Sequence, residues 1–166
     1  MRLNLTQMAA NALKYAQDVA ADLNHNYVGT EHILAGLLRE REGLACQVLE
    51  DHGVSYDKVL RMISQLMGGN DAVMKEVKSY TPRSLKLLEI AKEEAARFKA
   101  AAIGTEHMLM AILKESDSVA FQILTTIGIE PRKVYKDIML GIGIDAKEVK
   151  GKIEGLGGGD KKKQQM

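Results

Sequence analysis

The chain has 166 residues, 46% of them hydrophobic and 27% charged, and a formal net charge of +1. This length and composition are sufficient for a domain with a buried core and exclude an intrinsically disordered chain. The near-neutral charge provides no strong attraction for nucleic acid or an anionic membrane, and no stretch approaches the about 18 apolar residues of a membrane span.

The chain contains an internal duplication with an offset of 75 residues. Residues 6–68 align with residues 81–143 without a gap, and roughly a third of the paired residues are identical. Two copies of one unit predict a pseudo-twofold architecture. The predicted boundaries are residues 1–143 for the domain, 5–68 for repeat one, 69–79 for a linker, 80–143 for repeat two, and 144–166 for a possible short helix and a flexible polar tail.

Each copy is predicted to begin with two helices. The first helix is rich in alanine and carries its apolar residues at helical rather than alternating spacing, so strands are not indicated. The second helix follows a Gly-Thr pair, at Gly29-Thr30 in copy one and at Gly104-Thr105 in copy two. Because a threonine hydroxyl can accept a hydrogen bond from a free helical N–H group, Thr30 and Thr105 are the predicted N-caps.

Two more helices are predicted in each copy. The third helices end at Gly53 and Gly128, where a glycine is expected to adopt positive φ. The predicted spans are Leu44–His52 and Ser118–Ile127 for the third helices, Ser55–Met67 and Pro131–Leu140 for the fourth, and Asp145–Leu156 for a weak additional helix. The sequence therefore predicts an all-α protein, a compact bundle of about eight helices made of two tandem four-helix repeats.

Several segments carry a family resemblance. They are Leu5-Thr6, His25–Leu34 and Arg39–Gly43 in copy one, and Tyr80–Arg83 and Ile103–Leu109 in copy two. Together these segments make about residues 3–143 resemble the N-terminal domain of ClpC/ClpA-type AAA+ unfoldases, with ClpC the most similar branch. The resemblance implies a domain that receives substrate proteins and MecA-type adaptors, and that works with the ClpP peptidase only through an ATPase ring.

The chain itself is not expected to be an enzyme. It has no Gly-x-x-x-x-Gly-Lys-Ser/Thr phosphate loop, so binding or hydrolysis of ATP at a Walker site is not expected. No cofactor, nucleic acid or membrane partner is expected, and the isolated domain is predicted to be monomeric because hexamers in the resembled family form through the ATPase rings. The single Cys46 and the lack of a signal-peptide pattern favour a cytoplasmic location.

The resemblance also implies a ligand site. ClpC-type proteins recognise proteins marked by phosphorylated arginine, and the resemblance places the acidic ligand-contacting residues at Glu31 and Glu106. A carboxylate can accept paired hydrogen bonds from a guanidinium group, while helix N-terminal N–H groups or a basic residue bind the phosphate. The candidates for the phosphate side are the first-helix starts Thr6 and Thr81 and the adjacent Arg83.

Two alternatives to this pair of sites stay open. In the first, Glu31 and Glu106 bind no ligand and only interact favourably with the positive end of the helix dipole, an interaction worth about 0.3–1 kcal/mol for a first-turn carboxylate. In the second, the two copies bind differently, because Lys99–Ala102 replaces Asn24–Tyr27 and Met8 stands at the arginine position of copy one. An adaptor-docking or assembly domain without phosphoarginine recognition is the alternative function.

The histidines and the cysteine are not predicted to form a metal or catalytic site. His32 and His107 each lack the i, i+4 partner of a zinc site and are expected to orient the preceding loop by hydrogen bonding. His25 and His52 are expected at the surface or at helix ends. Cys46 is expected to be a core residue rather than a nucleophile, because no histidine is predicted to activate it.

A hydrophobic docking patch is a further hypothesis. Leu3, Leu5 and Tyr80 lie near the starts of the two repeats, where a shallow apolar surface could bind unfolded segments or adaptors. The alternative is that these residues belong to the core.

Overall fold

The computed structural model describes residues 3–67 and 79–153, which form nine helices and two short strands. The elements of repeat one are α1 (Gln7–Asp22), β1 (Tyr27–Val28), α2 (Thr30–Arg39), α3 (Leu44–Asp51) and α4 (Tyr56–Met67). The elements of repeat two are β2 (Ser79–Tyr80), α5 (Pro82–Arg97), α6 (Thr105–Lys114), α7 (Val119–Ile127) and α8 (Pro131–Gly141), followed by α9 (Ala146–Ile153). Nearly all of the predicted linker, residues 69–79, lies outside the described residues.

The predicted all-α fold is confirmed, and the third and fourth helices begin and end within one residue of their predicted bounds. Gly53 and Gly128 have φ of +84° and +113°, so the expected left-handed residues after the third helices are present. The additional helix predicted within residues 145–156 is α9. The two strands are not predicted by the sequence, because two residues are too few to show an alternating pattern.

The start of each repeat pairs with the segment that precedes the second helix of the other repeat. β2 runs parallel to β1, and Leu5 forms a parallel bridge with Ile103. The N–H of Thr81 donates to the carbonyl of Val28 at 3.0 Å, and the N–H of Thr6 donates to the carbonyl of Ile103 at 2.9 Å. The two repeats are therefore joined by equivalent main-chain contacts.

The third helix of each repeat packs against the other repeat. α3 contacts α6 and α8, and α7 contacts α2 and α4. Thr30 Oγ1 accepts a hydrogen bond from the N–H of Ala120 at 3.1 Å, and Thr105 Oγ1 accepts one from the N–H of Ala45 at 3.4 Å. Each threonine therefore binds a free N–H group in the first turn of the third helix of the opposite repeat.

The predicted roles of Thr30 and Thr105 as N-caps of their own helices are wrong. Gly29 and Gly104 occupy the N-cap positions, and each threonine is the first helical residue. An N-cap residue has an extended backbone, and in both copies that residue is the glycine, with ψ of 176° and 177°. The threonine hydroxyl is thereby directed away from its own helix and towards the other repeat.

The core lies around α2 and α6, the second helices of the two repeats. Nearly every residue of both helices is buried, as expected for central helices that other helices surround. α1 crosses α2 at Gly36, where an added Cβ would overlap the carbonyl oxygen of Ala12 and lie 2.9 Å from the nitrogen of Ala16. The crossing of α1 and α2 therefore needs a glycine at this position. Repeat two has the larger Ala111 at the matched position.

A buried charged network is present in repeat two. Glu94 is 3% exposed and accepts hydrogen bonds from the Tyr135 hydroxyl at 2.5 Å and from Nζ of Lys114 at 2.7 Å. Nη1 of Arg97 donates to the Tyr135 hydroxyl at 3.1 Å. Burial and the adjacent Glu94 carboxylate raise the pKa of Tyr135, so its hydroxyl stays a donor.

Candidate functional site

The starts of α2 and α6 are held by the histidines of the repeated motif. The N–H of Gly29 donates to Nδ1 of His32 at 2.8 Å, and the N–H of Gly104 donates to Nδ1 of His107 at 2.9 Å. Each histidine is the third helical residue and reaches back to the N-cap backbone, as a glutamate or glutamine does in a capping box. The predicted role of these histidines in orienting the loop is confirmed.

The glycine before each second helix makes room for the glutamate carboxylate. A Cβ on Gly29 would lie 2.5 Å from Oε1 of Glu31, and one on Gly104 would lie 2.6 Å from Oε1 of Glu106. Both carboxylates therefore fold back over the residue that precedes their helix. The two glycines have negative φ, so the motif requires glycine for space rather than for a left-handed backbone.

Glu31 borders a partly open cavity of about 220 Å³ at the junction of the two repeats. Four of the ligand-site residues predicted from the sequence line this cavity: Thr30, Glu31, Thr81 and Arg83. The other lining residues are Tyr27, Gly29, Met67, Asp117, Ser118 and Val119. The cavity therefore combines two carboxylates with one guanidinium group, supplied by α2, the start of α5 and the segment before α7.

The carboxylate of Glu31 has lost most of its hydration. The residue is 2% exposed, and burial raises the pKa of its carboxyl group, although its own backbone N–H and the nearby His25 act in the opposite direction. A cationic ligand group in the cavity would replace the lost hydration and favour the ionised form.

Arg83 is held by a carboxylate that does not line the cavity. Its Nη1 donates to Oε1 of Glu115 at 3.1 Å, and Nζ of Lys86 lies 3.7 Å from Oε2 of the same residue. The side chain of Glu115 is 9% exposed, whereas that of Arg83 is 44% exposed. Because a guanidinium group has five N–H donors, Arg83 can contact a ligand while it stays bound to Glu115.

The hydroxyls of Thr6 and Thr81 cap the first helices of the two repeats. Thr6 Oγ1 accepts from the N–H of Ala9 at 3.0 Å, and Thr81 Oγ1 accepts from the N–H of Ser84 at 3.1 Å. The Thr81 hydroxyl also donates to Oγ of Ser84 at 3.0 Å. Thr81 therefore fixes the start of α5 beside the cavity, while its hydroxyl is already used in structural hydrogen bonds.

The other predicted ligand-site residues, Thr6, Thr105 and Glu106, lie at the second, equivalent junction between the repeats. Glu106 is half-buried and follows Thr105, and the main-chain bond from Thr6 to Ile103 brings the start of α1 to this point. Met8, 41% exposed, occupies the position that Arg83 has at the first junction. The structure therefore separates the predicted residues into two groups of different composition, of which the Glu31 group lines the described cavity.

His25 was expected at the surface or at a helix end; it lies two residues after the C-cap of α1, but it is buried rather than at the surface. It is 6% exposed, its Nδ1 lies 2.8 Å from Nε2 of His32, and the ring of Tyr27 stacks on it. The contact joins residues on the two sides of β1, so helical periodicity gives no indication of it. His52 follows α3 as predicted, and its Nε2 lies 2.6 Å from Oδ2 of Asp137.

Acidification is expected to destabilise the protein through His32. Because Nδ1 accepts the hydrogen bond from Gly29, a second proton on the ring would break this bond. Burial, together with the nearby His25, lowers the pKa of His32 from 6.5 to about 4. Stability is therefore full above pH 6.5 and falls as the pH decreases towards 4, because only the unfolded chain binds the proton in this window. Near pH 5 the expected loss is about 2 kcal/mol.

Urea unfolding of the wild type and His32→Gln, at about pH 7.5 and about pH 5, tests this expectation. Glutamine keeps an acceptor at the third helical position but does not titrate. The loss of stability between the two pH values should therefore be about 2 kcal/mol smaller in the variant. An equal loss in both proteins would contradict the role of His32.

The three apolar residues of the hypothetical docking patch are partly buried. Leu3, Leu5 and Tyr80 pack against the hydrophobic core. Leu5 and Tyr80 occupy equivalent positions, the first paired with Ile103 and the second with Val28. This placement supports the core alternative, and a docking role for these residues stays a prediction.

Cys46 is a core residue, as predicted. It is 1% exposed, its thiol donates to the carbonyl of Leu38 at 3.4 Å, and burial raises its pKa, which disfavours the thiolate. In the part of the chain that the structure describes, no group of three or more His, Cys, Asp or Glu side chains is arranged to hold a metal ion. Within residues 3–67 and 79–153, every helix is too short or too polar to span a lipid bilayer.

Three residues of the cavity region are missed by the sequence reasoning. Tyr27 and Asp117 line the cavity, and Glu115 holds its arginine. The duplication contains a signal for the two acidic residues, because Glu115 matches Glu40 and Asp117 matches Glu42. A carboxylate that recurs after both second helices indicates a role common to the two copies.

Known proteins share this sequence pattern. The sequence profile of the Clp repeat (R) N-terminal domain matches residues 4–127. A probable ATP-dependent Clp protease ATP-binding subunit from Chlamydia pneumoniae is 42% identical over 135 residues, which cover 81% of this chain and 16% of that protein. The ATP-dependent Clp protease ATP-binding subunit ClpC from Staphylococcus aureus strain USA300 is 36% identical over 140 residues, which cover 84% of this chain and 17% of that protein. The chain thus spans about a sixth of the length of these curated relatives.

Solved structures share the fold. The N-terminal domain of the chaperone ClpD from Arabidopsis thaliana superposes with a TM-score of 0.70 at 19% identity, covering 84% of this chain and 97% of that chain. The Hsp104 N-terminal domain from Candida albicans gives a TM-score of 0.69 at 14% identity, covering 88% and 98%. A ClpV N-domain in complex with a VipB peptide gives 0.61 at 21% identity, covering 84% and 92%. At these identities the likeness establishes the fold alone.

Proposed function

Because the chain belongs to the family of Clp repeat N-terminal domains, we propose that it is the substrate- and adaptor-binding domain of an ATP-dependent Clp unfoldase subunit. The proposed substrates are unfolded proteins and proteins marked by phosphorylated arginine, and the proposed adaptors are of the MecA type. The ATPase modules of such subunits are not in this chain, so any link to the ClpP peptidase would pass through them.

A role in binding proteins has support from the comparisons. The fold is shared with a ClpV N-domain whose structure contains a VipB peptide, so one protein with this fold binds a peptide segment. The curated relatives at 42% and 36% identity are ATP-binding subunits of Clp proteases, in which this domain is a small part of the chain. Both observations fit a module that receives protein partners.

The observation that carries the phosphoarginine proposal is the composition of the Glu31 cavity. Phosphoarginine has a cationic guanidinium portion and an anionic phosphate on the same side chain, so its site needs both kinds of charge. Glu31 provides a desolvated carboxylate that can accept paired N–H donors, and Arg83 provides a guanidinium group for the phosphate. Asp117 lines the same cavity and is a second acceptor for guanidinium N–H groups.

The second candidate function is adaptor docking without phosphoarginine recognition. It has support because two of the groups proposed to bind the ligand already form hydrogen bonds within the protein. The Thr81 hydroxyl is used in capping α5, and Arg83 is bound to Glu115. If Arg83 cannot leave or share this carboxylate, the cavity lacks a phosphate ligand. A titration with free phosphoarginine therefore distinguishes the two functions.

Free phosphoarginine is expected to bind the wild-type chain and to bind Glu31→Gln at least about tenfold more weakly. Glutamine keeps the shape of the side chain but removes its charge, and a hydrogen bond to a charged group contributes about 1.5–3 kcal/mol. Isothermal titration calorimetry measures the two affinities. Unphosphorylated arginine is the ligand control, because it lacks the group that Arg83 would bind.

The matched control variant is Glu89→Gln, which makes the same change on the exposed face of α5. It is expected to bind phosphoarginine as the wild type does. Gly29→Ala is an independent variant, because the added Cβ displaces the Glu31 carboxylate without removing its charge. Equal affinity in the wild type, Glu31→Gln and Gly29→Ala would reject this site.

A further inference from the structure

The two junctions between the repeats have the same backbone arrangement. Glu31 and Glu106 occupy equivalent positions, and each carboxylate folds over the preceding glycine. The start of the first helix of the opposite repeat lies beside each of them, through the main-chain hydrogen bonds of Thr81 and Thr6. Any difference in ligand binding between the junctions therefore depends on side chains.

Two cations near the Glu31 cavity are replaced by uncharged residues at the matched positions of the second junction. At the first junction, Arg83 and Lys86 lie 3.1 and 3.7 Å from the carboxylate oxygens of Glu115. The equivalent residues at the second junction are Met8 and Asn11. Both substitutions remove a positive charge.

The carboxylates, in contrast, are present at both junctions. Glu40 and Glu42 match the acidic residues 115 and 117. Glu40 is 7% exposed and accepts a hydrogen bond from Nδ2 of Asn11 at 3.2 Å. At the five position pairs named here, repeat one and repeat two therefore differ in cations alone: the Glu106 junction has three carboxylates and no cation, and the Glu31 junction has three carboxylates and two cations.

Arg41 does not supply the missing charge. It is next to Glu42 in the sequence, but its guanidinium group binds the carboxylate of Glu50 through two nitrogen atoms. Its Nη1 also contacts Sγ of Cys46. At the named positions that the structure describes, a phosphate beside Glu106 would therefore meet carboxylates without a neighbouring cation, which is unfavourable because like charges repel.

We propose that the protein binds a single phosphoarginine, in the Glu31 cavity, and that Arg83 is the residue that determines specificity for the phosphate. This inference rests on the proposed function. Both junctions have a carboxylate that attracts a guanidinium group, but among the compared positions that the structure describes, the cations that can neutralise the attached phosphate, Arg83 and Lys86, lie at the Glu31 junction.

Met8 is the position at which phosphate binding can be restored at the second junction. Its side chain is 41% exposed, so an arginine there does not need to enter the core. Glu40 is the counterpart of Glu115 and is equally buried, so it is placed to hold the new guanidinium group as Glu115 holds Arg83. The single substitution Met8→Arg therefore gives the second junction an arginine at the position that Arg83 has in the first.

The test combines isothermal titration of phosphoarginine with amide NMR spectra, in which the N–H signals of Gly29 and Gly104 report separately on the two junctions. The wild type is expected to bind one molecule and to shift the Gly29 signal. Arg83→Met should weaken binding at least about tenfold. Met8→Arg should raise the stoichiometry to two, and Met8→Arg/Glu106→Gln should return it to one.

Several outcomes would overturn the inference. They are two equivalent sites in the wild type, undiminished binding to Arg83→Met, and an unchanged stoichiometry in Met8→Arg. Absence of any phosphoarginine binding to the wild type would overturn the proposed recognition of phosphoarginine as well, so the two failures are distinguishable. Circular dichroism of each variant verifies that it is folded.

Discussion

Gly36→Ala is expected to destabilise the protein by at least about 3 kcal/mol, or to prevent its folding. The added methyl group would overlap the carbonyl oxygen of Ala12 and lie 2.9 Å from the nitrogen of Ala16. Both are backbone atoms of α1, so the overlap cannot be relieved by rotation of a side chain. Helix propensity alone would favour alanine by up to about 1 kcal/mol, so the sign of the change separates packing from propensity. Urea unfolding followed by circular dichroism measures it.

Ala111→Gly is the matched control in repeat two. It removes a buried methyl group and lowers helix propensity without adding an overlap, so the expected loss is about 1–2 kcal/mol. The two variants should therefore both be destabilised, with Gly36→Ala the more affected. A Gly36→Ala protein as stable as the wild type would contradict the close crossing of α1 and α2.

Glu94→Ala is expected to cost about 3 kcal/mol of unfolding free energy. The substitution removes the acceptor of the buried Tyr135 hydroxyl and the partner of Lys114. The side chains of Lys114 and Arg97 are 26% and 35% exposed, so water can replace part of their lost interaction, and the effect is at the lower end for a broken buried pair. Urea unfolding near neutral pH measures the loss.

Repeat one shows which replacement should be tolerated. It has Val19 and Leu60 at the positions of Glu94 and Tyr135. Glu94→Val/Tyr135→Leu removes the carboxylate and the hydroxyl together, so neither is left buried without a partner. The double variant is therefore expected to be more stable than Glu94→Ala. If Glu94→Ala unfolded at the urea concentration of the wild type, the network would have no net role in stability.

The helices could be predicted from the sequence because their signals are local. Apolar residues at helical spacing, and glycines such as Gly53 and Gly128 after the third helices, act within one or two turns of chain. The duplication reinforced these signals, because each helix of repeat one has a counterpart 75 residues later. Family resemblance added the position of the acidic motif at Glu31 and Glu106.

The arrangement of the helices could not be predicted in the same way. Thr30 was assignable to a helix start from its neighbours, but its hydrogen-bond partner, Ala120, is 90 residues away. The burial of His25 likewise involves a ring contact with His32, from which β1 separates it in the chain. Such contacts depend on which helices become neighbours after folding, and local propensity does not contain that information.

In the candidate site, the sequence indicates the residues but not the contacts between them. The resemblance assigned Glu31 to the guanidinium side of a ligand pocket and Thr81 and Arg83 to the phosphate side, and in the structure these three residues line one cavity. The sequence did not indicate that Glu115 holds Arg83, because this contact joins the start of α5 to the end of α6. The sequence showed the charge difference between the junctions, with Met8 at the position of Arg83. That Glu40 is buried there, as Glu115 is beside Arg83, could be seen only in the structure.

The reciprocal hydrogen bonds of Thr30 and Thr105 make neither half of the chain complete by itself. A fragment containing one repeat would keep a hydroxyl with no helix to bind and a third helix with no hydroxyl at its start. Such a fragment is complementary to another copy of itself, which is the condition for a twofold symmetric dimer. The duplicated gene product can therefore be regarded as a homodimer whose two subunits have been fused and have since diverged in sequence.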